Sequence, residues 1–185
     1  RSLPSQPDAD IQSIAVDPDD PRTVYIGRVD VYNVMFNPHS DRYLLKTEDG
    51  GATWQELYLP GTDAMVNVMP IPPDGGAIYV GTGGVVYKSE TGGSTWVRIG
   101  PPGRNGDMYD IAVDPRDPRT LYLPRRAYGI VKSTDGGMTW TEINTGLKNV
   151  SVSLLALLNH PGSETVYATA VSGEGTFKTT DGGET

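Results

Sequence analysis

A nine-residue string recurs along the chain at near-constant spacing, and it restricts the fold more than any other feature. Its copies are Lys46-Thr47-Glu48-Asp49-Gly50-Gly51-Ala52-Thr53-Trp54, Lys88-Ser89-Glu90-Thr91-Gly92-Gly93-Ser94-Thr95-Trp96 and Lys132-Ser133-Thr134-Asp135-Gly136-Gly137-Met138-Thr139-Trp140. A fourth opens at Lys178-Thr179-Thr180-Asp181-Gly182-Gly183 and runs to Thr185, the position before the tryptophan. Trp54, Trp96 and Trp140 stand 42 and 44 residues apart, and Lys132 and Lys178 stand 46 apart. A period of roughly 40–50 residues belongs to stacked repeats, because one unit cannot bury its apolar face alone.

The string describes a tight turn between two strands. Its Gly-Gly pair supplies positive φ without a Cβ penalty. The Asp carboxylate is placed to accept hydrogen bonds from the backbone N–H groups of the turn. Copy two carries Thr91 where the others carry Asp, and a threonine hydroxyl is expected to do the same more weakly. The Thr-Trp step then enters a strand that the indole anchors. Regularly spaced aspartates also suggest calcium or acid catalysis. Equivalent turns in successive repeats do not converge on one point as a catalytic pair must, so the structural turn is the better account.

Between these turns the chain alternates short strands and turn residues, with no helical period. The first unit has expected strands at 11–16, 23–27, 43–47 and 53–58, with residues 28–42 as an insertion. The second has them near 64–70, 77–81, 84–89 and 95–99. The third has them near 108–113, 119–123, 129–133 and 139–143, and the fourth near 151–158, 165–170 and 175–179, without an outer strand. Ile14-Ala15-Val16-Asp17-Pro18 is echoed by Ile111-Ala112-Val113-Asp114-Pro115, which fixes the repeat register independently. Gly81-Thr82-Gly83-Gly84 imitates a phosphate loop, but no helix follows it and it reads as a hairpin turn. The fold class is therefore all-β: a β-propeller of four-stranded antiparallel blades, with about four blades present. The expected divisions are a connector at 1–10, blades at 11–59, 60–100 and 101–146, and an incomplete blade at 147–185.

The motif resembles the Asp-box, or BNR, repeat, Ser/Thr-x-Asp-x-Gly-x-x-Trp. Thr47, Asp49, Gly51 and Trp54 match it fully, as do Ser133, Asp135, Gly137 and Trp140. Asp-box repeats occur in sialidases, xyloglucan-active endoglucanases, sortilin-type receptors and photosystem II assembly factors. The resemblance implies six or more blades in a closed ring. The chain is thus expected to be part of a larger propeller, to have its ring completed by further blades or another chain, or to close with four. Sialidases also carry Arg-Ile-Pro, from which the nearest string, Arg98-Ile99-Gly100, departs. The cysteine-rich module of sortilin-type receptors has no counterpart in a chain without cysteine. The similarity is strongest to bacterial assembly-factor and extracytoplasmic propellers, which implies an extracellular or periplasmic location.

Strand alternation puts the fourth-to-first and second-to-third connections on one face, opposite the box turns. That face supplies the candidate binding residues: Arg28, Asp30, Tyr32, Arg104, Asp107, Arg125, Arg126, Tyr128 and Glu174. Arg125-Arg126-Ala127-Tyr128 suits a carboxylate or acidic glycan, with Tyr128 stacking on a sugar or peptide. Asp30, Asp107 and Glu174 are the carboxylates from which a glycoside-hydrolysing pair would come. The expected function is a non-enzymatic binding or scaffold propeller presenting its loop face to a protein or glycan. The alternatives are a xyloglucanase-like glycoside hydrolase and a structural subunit of a larger assembly.

A net charge of −8 disfavours nucleic acid and anionic membrane surfaces. No apolar run approaches 18 residues, so no membrane insertion is expected. Without cysteine, and with only His39 and His160 as histidines, no metal or cofactor is expected. Arg1-Ser2-Leu3-Pro4 has no apolar core of a signal peptide and no initiating Met, so a processed or cut N-terminus is expected.

Overall fold

The computed structural model describes residues 9–30, 42–60, 66–68, 76–82, 85–100, 111–114, 116–125, 128–147, 151–160, 163–170 and 175–184. All its regular elements are strands, in four antiparallel sheets. The first sheet is β1 (Ala9–Val16), β2 (Val24–Asp30), β3 (Arg42–Thr47) and β4 (Gln55–Leu57), hydrogen-bonded in chain order. The second is β5 (Val66–Val68), β6 (Ile78–Thr82), β7 (Val85–Ser89) and β8 (Val97–Ile99). The third is β9 (Ala112–Asp114), β10 (Asp117–Arg125), β11 (Gly129–Ser133) and β12 (Thr141–Glu142). The fourth has three strands: β13 (Val152–His160), β14 (Ser163–Ala170) and β15 (Thr176–Thr179). These are propeller blades, as the box spacing requires. Thr82 pairs with Val85, so the strands on either side of the false phosphate loop are antiparallel neighbours.

Strand bounds differ from expectation where pairing outruns local propensity. β1 and β2 extend to Ala9 and Asp30, which pair with each other, and β2 pairs onward to Arg42 of β3. Arg28 and Asp30 are therefore strand residues rather than part of an insertion. β10 runs on to Arg125, so that residue too closes a ladder rather than opening a loop. Pro118 lies in the irregular stretch of β10 between Asp117 and Leu121, where a missing N–H costs no regular ladder bond. β13 and β14 reach His160 and Ser163, which pair directly. β1 carries apolar residues on both of its faces. Ala15 is buried, but Ile14 is 64% and Val16 48% exposed, because only the Ala15 side faces the next sheet.

The chain divides into two compact units, residues 1–98 and 99–185. In the first, Ala15, Tyr25 and Leu44 pack against Ile78, Val80 and Tyr87 of the following sheet, with Leu57, Leu59 and Trp96 around them. In the second, Ala112, Tyr122 and Ile130 pack against Val152, Val166 and Ala168, with Ile143, Leu147 and Phe177 around them. The same rule places each residue. Alternate side chains along a strand point to opposite faces, so one face of each blade's strands meets the facing side of the next blade.

A lysine–tyrosine pair recurs at these cores. Tyr25, Tyr122 and Tyr167 lie opposite Lys46, Lys132 and Lys178 in the ladders, with each ammonium 5.3–5.8 Å from the ring centroid. Lys132 Nζ reaches on to donate to Gly182 O at 3.2 Å, linking the third blade to the fourth box.

Candidate functional site

The box turns are built alike, and their geometry explains why the residue types recur. Thr47 Oγ1 donates to Asp49 Oδ1 at 2.8 Å and accepts the N–H of Gly51 at 2.9 Å. Asp49 then accepts the N–H of Thr53 at 2.8 Å and its hydroxyl at 2.6 Å. Ser133, Asp135, Gly137 and Thr139 repeat this, with Met138 N–H added at 3.0 Å. In the second box Thr91 Oγ1 accepts the N–H of Thr95 at 2.9 Å and shares a 2.8 Å hydrogen bond with its hydroxyl. The threonine substitution therefore keeps the clamp without the charge. In the fourth, Thr179 Oγ1 donates to Asp181 and accepts Gly183 N–H at 3.2 Å. These carboxylates are consumed by their own turns, which fits the structural account of the motif.

The clamp has an electrostatic signature. The Thr53 hydroxyl, then the Thr53 and Ala52 N–H groups and the Thr47 hydroxyl, hold Asp49 at about 2, against a usual carboxylate value near ~3.9. Asp135 is lowered further, first by the Thr139 hydroxyl and then by its N–H. Both folded values are depressed, so the stability they confer is complete above the unfolded value. It is lost as pH falls toward the folded one. Thermal melts should be level from pH 7 to about 5 and fall between about pH 4 and 2. Replacing both residues with Asn should lower the melting temperature at pH 7 and flatten the acid limb. An unchanged acid limb in that variant would place the acid sensitivity elsewhere.

On the opposite face, the β10–β11 hairpin carries the one candidate pair the described residues bring together. Arg125 ends β10, and its guanidinium carbon lies 4.9 Å from the centroid of the Tyr128 ring. Tyr128 is 44% exposed, so the ring offers a face to solvent. The hairpin is held from beneath. Tyr128 N–H donates to Arg125 O at 3.1 Å. Asn144 Nδ2 donates to Tyr128 O at 3.1 Å, and Asn144 Oδ1 accepts Ile130 N–H at 2.8 Å. Gly129 has φ +79° and lies so close to Asn144 that a Cβ would collide with its amide. The platform is thus a cation beside an aromatic ring, able to stack on an apolar ring face and donate to an anion or hydroxyl.

Arg28 is 6% exposed in the middle of β2, and Asp30 ends the same strand. Tyr32, Arg104, Asp107, Arg126 and Glu174 lie outside the described residues. Asn144 was not among the sequence candidates. Its role depends on β12 leading back beneath the hairpin, and no local pattern announces that. Among the described residues, no three His, Cys, Asp or Glu side chains group as a metal site.

No protein-family model matches the chain. The xyloglucanase Xgh74A of Acetivibrio thermocellus is 29% identical over 137 residues, 73% of this chain and 12% of that protein. The chain therefore spans a small part of the curated relative it matches. Among determined structures, the GH74 enzyme of Niastella koreensis superposes with a TM-score of 0.71 at 24% identity, over 95% of this chain and 29% of that one. YCF48 from Cyanidioschyzon merolae gives 0.63 at 19% identity, over 99% and 56%. A chain of the nidogen/laminin complex gives 0.69 at 12% identity, over 96% and 63%.

Proposed function

Because the chain is built of the β-propeller blades found in GH74 xyloglucanases, YCF48 and the nidogen/laminin complex, we propose that it is a binding propeller. In this proposal it holds an extended partner on its loop face, without cleaving it. The observation that carries the proposal is the Arg125–Tyr128 platform, pinned by Asn144 and open to solvent. Stacking on the tyrosine and charge-assisted hydrogen bonds from the arginine suit a glycan chain, and the sequence relative is a xyloglucanase. A protein partner on the same face is the neighbouring case, since one such structure is YCF48 bound to a D1 peptide. Further blades or another chain would extend the face, and the location proposed is extracellular or periplasmic, where polysaccharide is met.

The second reading, a xyloglucanase-type glycoside hydrolase, is favoured by that same relative. It needs two carboxyl groups about 5–10 Å apart across the bound chain. One experiment separates the two. Calorimetric titration with xyloglucan oligosaccharides is run beside an assay for new reducing ends, with an unrelated peptide as control. Binding without new reducing ends is expected, weakened at least tenfold by Tyr128→Ala, a loss of about 1.4 kcal/mol. Steady release of reducing ends in proportion to protein would overturn the proposal in favour of hydrolysis.

A further inference from the structure

The β9–β10 turn and the third box lie side by side, joined where Gly136 N–H donates to Arg119 O at 2.8 Å. There the third blade carries a polar cavity of about 310 Å³, lined by Asp114, Arg116, Asp117, Lys132 and Thr134 among others. That volume is at the lower end of the ~300–1,000 Å³ of small-molecule pockets. Tyr122 also lines it, with the Lys132 ammonium 5.3 Å from its ring centroid.

The first blade has the same framework with a different charge. The recurring Ile-Ala-Val-Asp-Pro strings match Asp17, Asp19 and Asp20 to Asp114, Arg116 and Asp117, and the boxes match Lys46 and Glu48 to Lys132 and Thr134. Four carboxylates and one ammonium thus become two carboxylates, a guanidinium and an ammonium. In the first box Glu48 lies 2.6 Å from Lys46, and in the second Glu90 lies 2.6 Å from Lys88. Thr134 is shorter and neutral, so at that position the third box offers its lysine no carboxylate. Lys132 has three N–H donors and gives one to Gly182 O at 3.2 Å. Arg116 stands against Asp114, Nε donating to Oδ1 at 3.2 Å and Nη2 to Oδ2 at 3.0 Å, so its charge offsets that buried carboxylate. Asp117 accepts the Thr120 hydroxyl at 2.9 Å and the Arg119 N–H at 3.1 Å, and a carboxylate oxygen can accept more than once.

We propose that this pocket is a binding site for a small hydroxylated carboxylate, a sugar acid of the hexuronate class. The ligand carboxylate takes the place beside Lys132 that Glu48 takes beside Lys46, with the Thr134 hydroxyl as a second donor. The ring hydroxyls of the ligand donate to Asp117. The charge-assisted bond to lysine supplies affinity. The aspartates supply selectivity, because a phosphate dianion or a second carboxylate would meet Asp114 and Asp117 at close range. The site is separate from the Arg125–Tyr128 platform, which lies at the opposite ends of β10 and β11.

The test is titration of the 185-residue chain with D-glucuronate, D-glucose and cyclohexanecarboxylate, followed by amide chemical shifts. Glucuronate should saturate one site, with shifts at Arg116, Lys132 and Thr134. Glucose lacks the carboxylate and cyclohexanecarboxylate lacks the hydroxyls, so each should bind at least tenfold more weakly. Thr134→Glu and Arg116→Asp each restore what the first blade carries. Both variants should therefore melt as the parent does, and both should bind glucuronate at least tenfold more weakly. No saturable shift at tens of millimolar glucuronate, undiminished affinity in Thr134→Glu, glucose bound as tightly, or shifts confined to Tyr128 and Gly129 would each overturn the proposal.

Discussion

Gly137→Ala should destabilise the chain by about 3 kcal/mol, because the second glycine of the box is fixed twice. Its φ is +93°, where an L-residue costs roughly 1–2 kcal/mol. A Cβ there would also lie 2.9 Å from Ile99 Cβ, which cannot withdraw without moving backbone, and such overpacking costs about 1–3 kcal/mol. The melting temperature of a chain this long should fall roughly 2–4 °C for each kcal/mol. Gly50→Ala is the control. Gly50 has φ +71° but nothing within 4 Å of the added methyl, so only the backbone cost of about 1–2 kcal/mol remains. Equal losses in the two variants, measured by urea denaturation, would show that the seat on Ile99 contributes nothing.

Tyr122→Ala should cost about 3–5 kcal/mol, the range for removing a buried aromatic ring. Tyr122 is 1% exposed between the third and fourth sheets, and Lys132 Nζ lies 5.3 Å from its ring centroid. Truncation removes packing against Val152, Val166 and Ala168 and opens a cavity that the two sheets cannot collapse, because each is fixed by its own ladder. Tyr122→Phe keeps the ring and should retain most of the stability. A small loss in Tyr122→Ala would mean that the two sheets are not held through this core.

The parts of this fold that the sequence announces are those set by local chemistry. The Ser/Thr-x-Asp-Gly-Gly turns needed only a carboxylate, a hydroxyl and two glycines within seven residues. Asp17 and Asp114 bond locally in the same way, Asp17 Oδ1 accepting Asp19 N–H and Asp114 Oδ1 accepting Arg116 N–H, both at 2.9 Å. The parts it conceals depend on pairing between strands. Arg28 was expected at the start of an insertion, yet pairing with Ile11 carries β2 past it and buries it. The lysine–tyrosine pairs had a signal: Tyr25, Tyr79, Tyr122 and Tyr167 recur in the second strand of each unit, and a lysine heads every box. Counting that recurrence would have found them, whereas Asn144 beneath the hairpin has no counterpart that sequence periodicity could expose. The candidate site was half legible for the same reason. Arg125 and Tyr128 lie three residues apart, but their stacking follows from the hairpin that Gly129 and Asn144 impose.

The most direct measurement is amide hydrogen exchange at Gly51, Gly93, Gly137 and Gly183. Each N–H donates to the hydroxyl that opens its box, at 2.9, 2.9, 2.9 and 3.2 Å. If one turn built four times pins the sheets, all four amides exchange far more slowly than in an unfolded chain. Gly93 and Gly137, whose bonds are buried, should be the slowest, and Gly183 the fastest. Exchange of these glycines at unfolded-chain rates, while the strand ladders stay protected, would contradict the account.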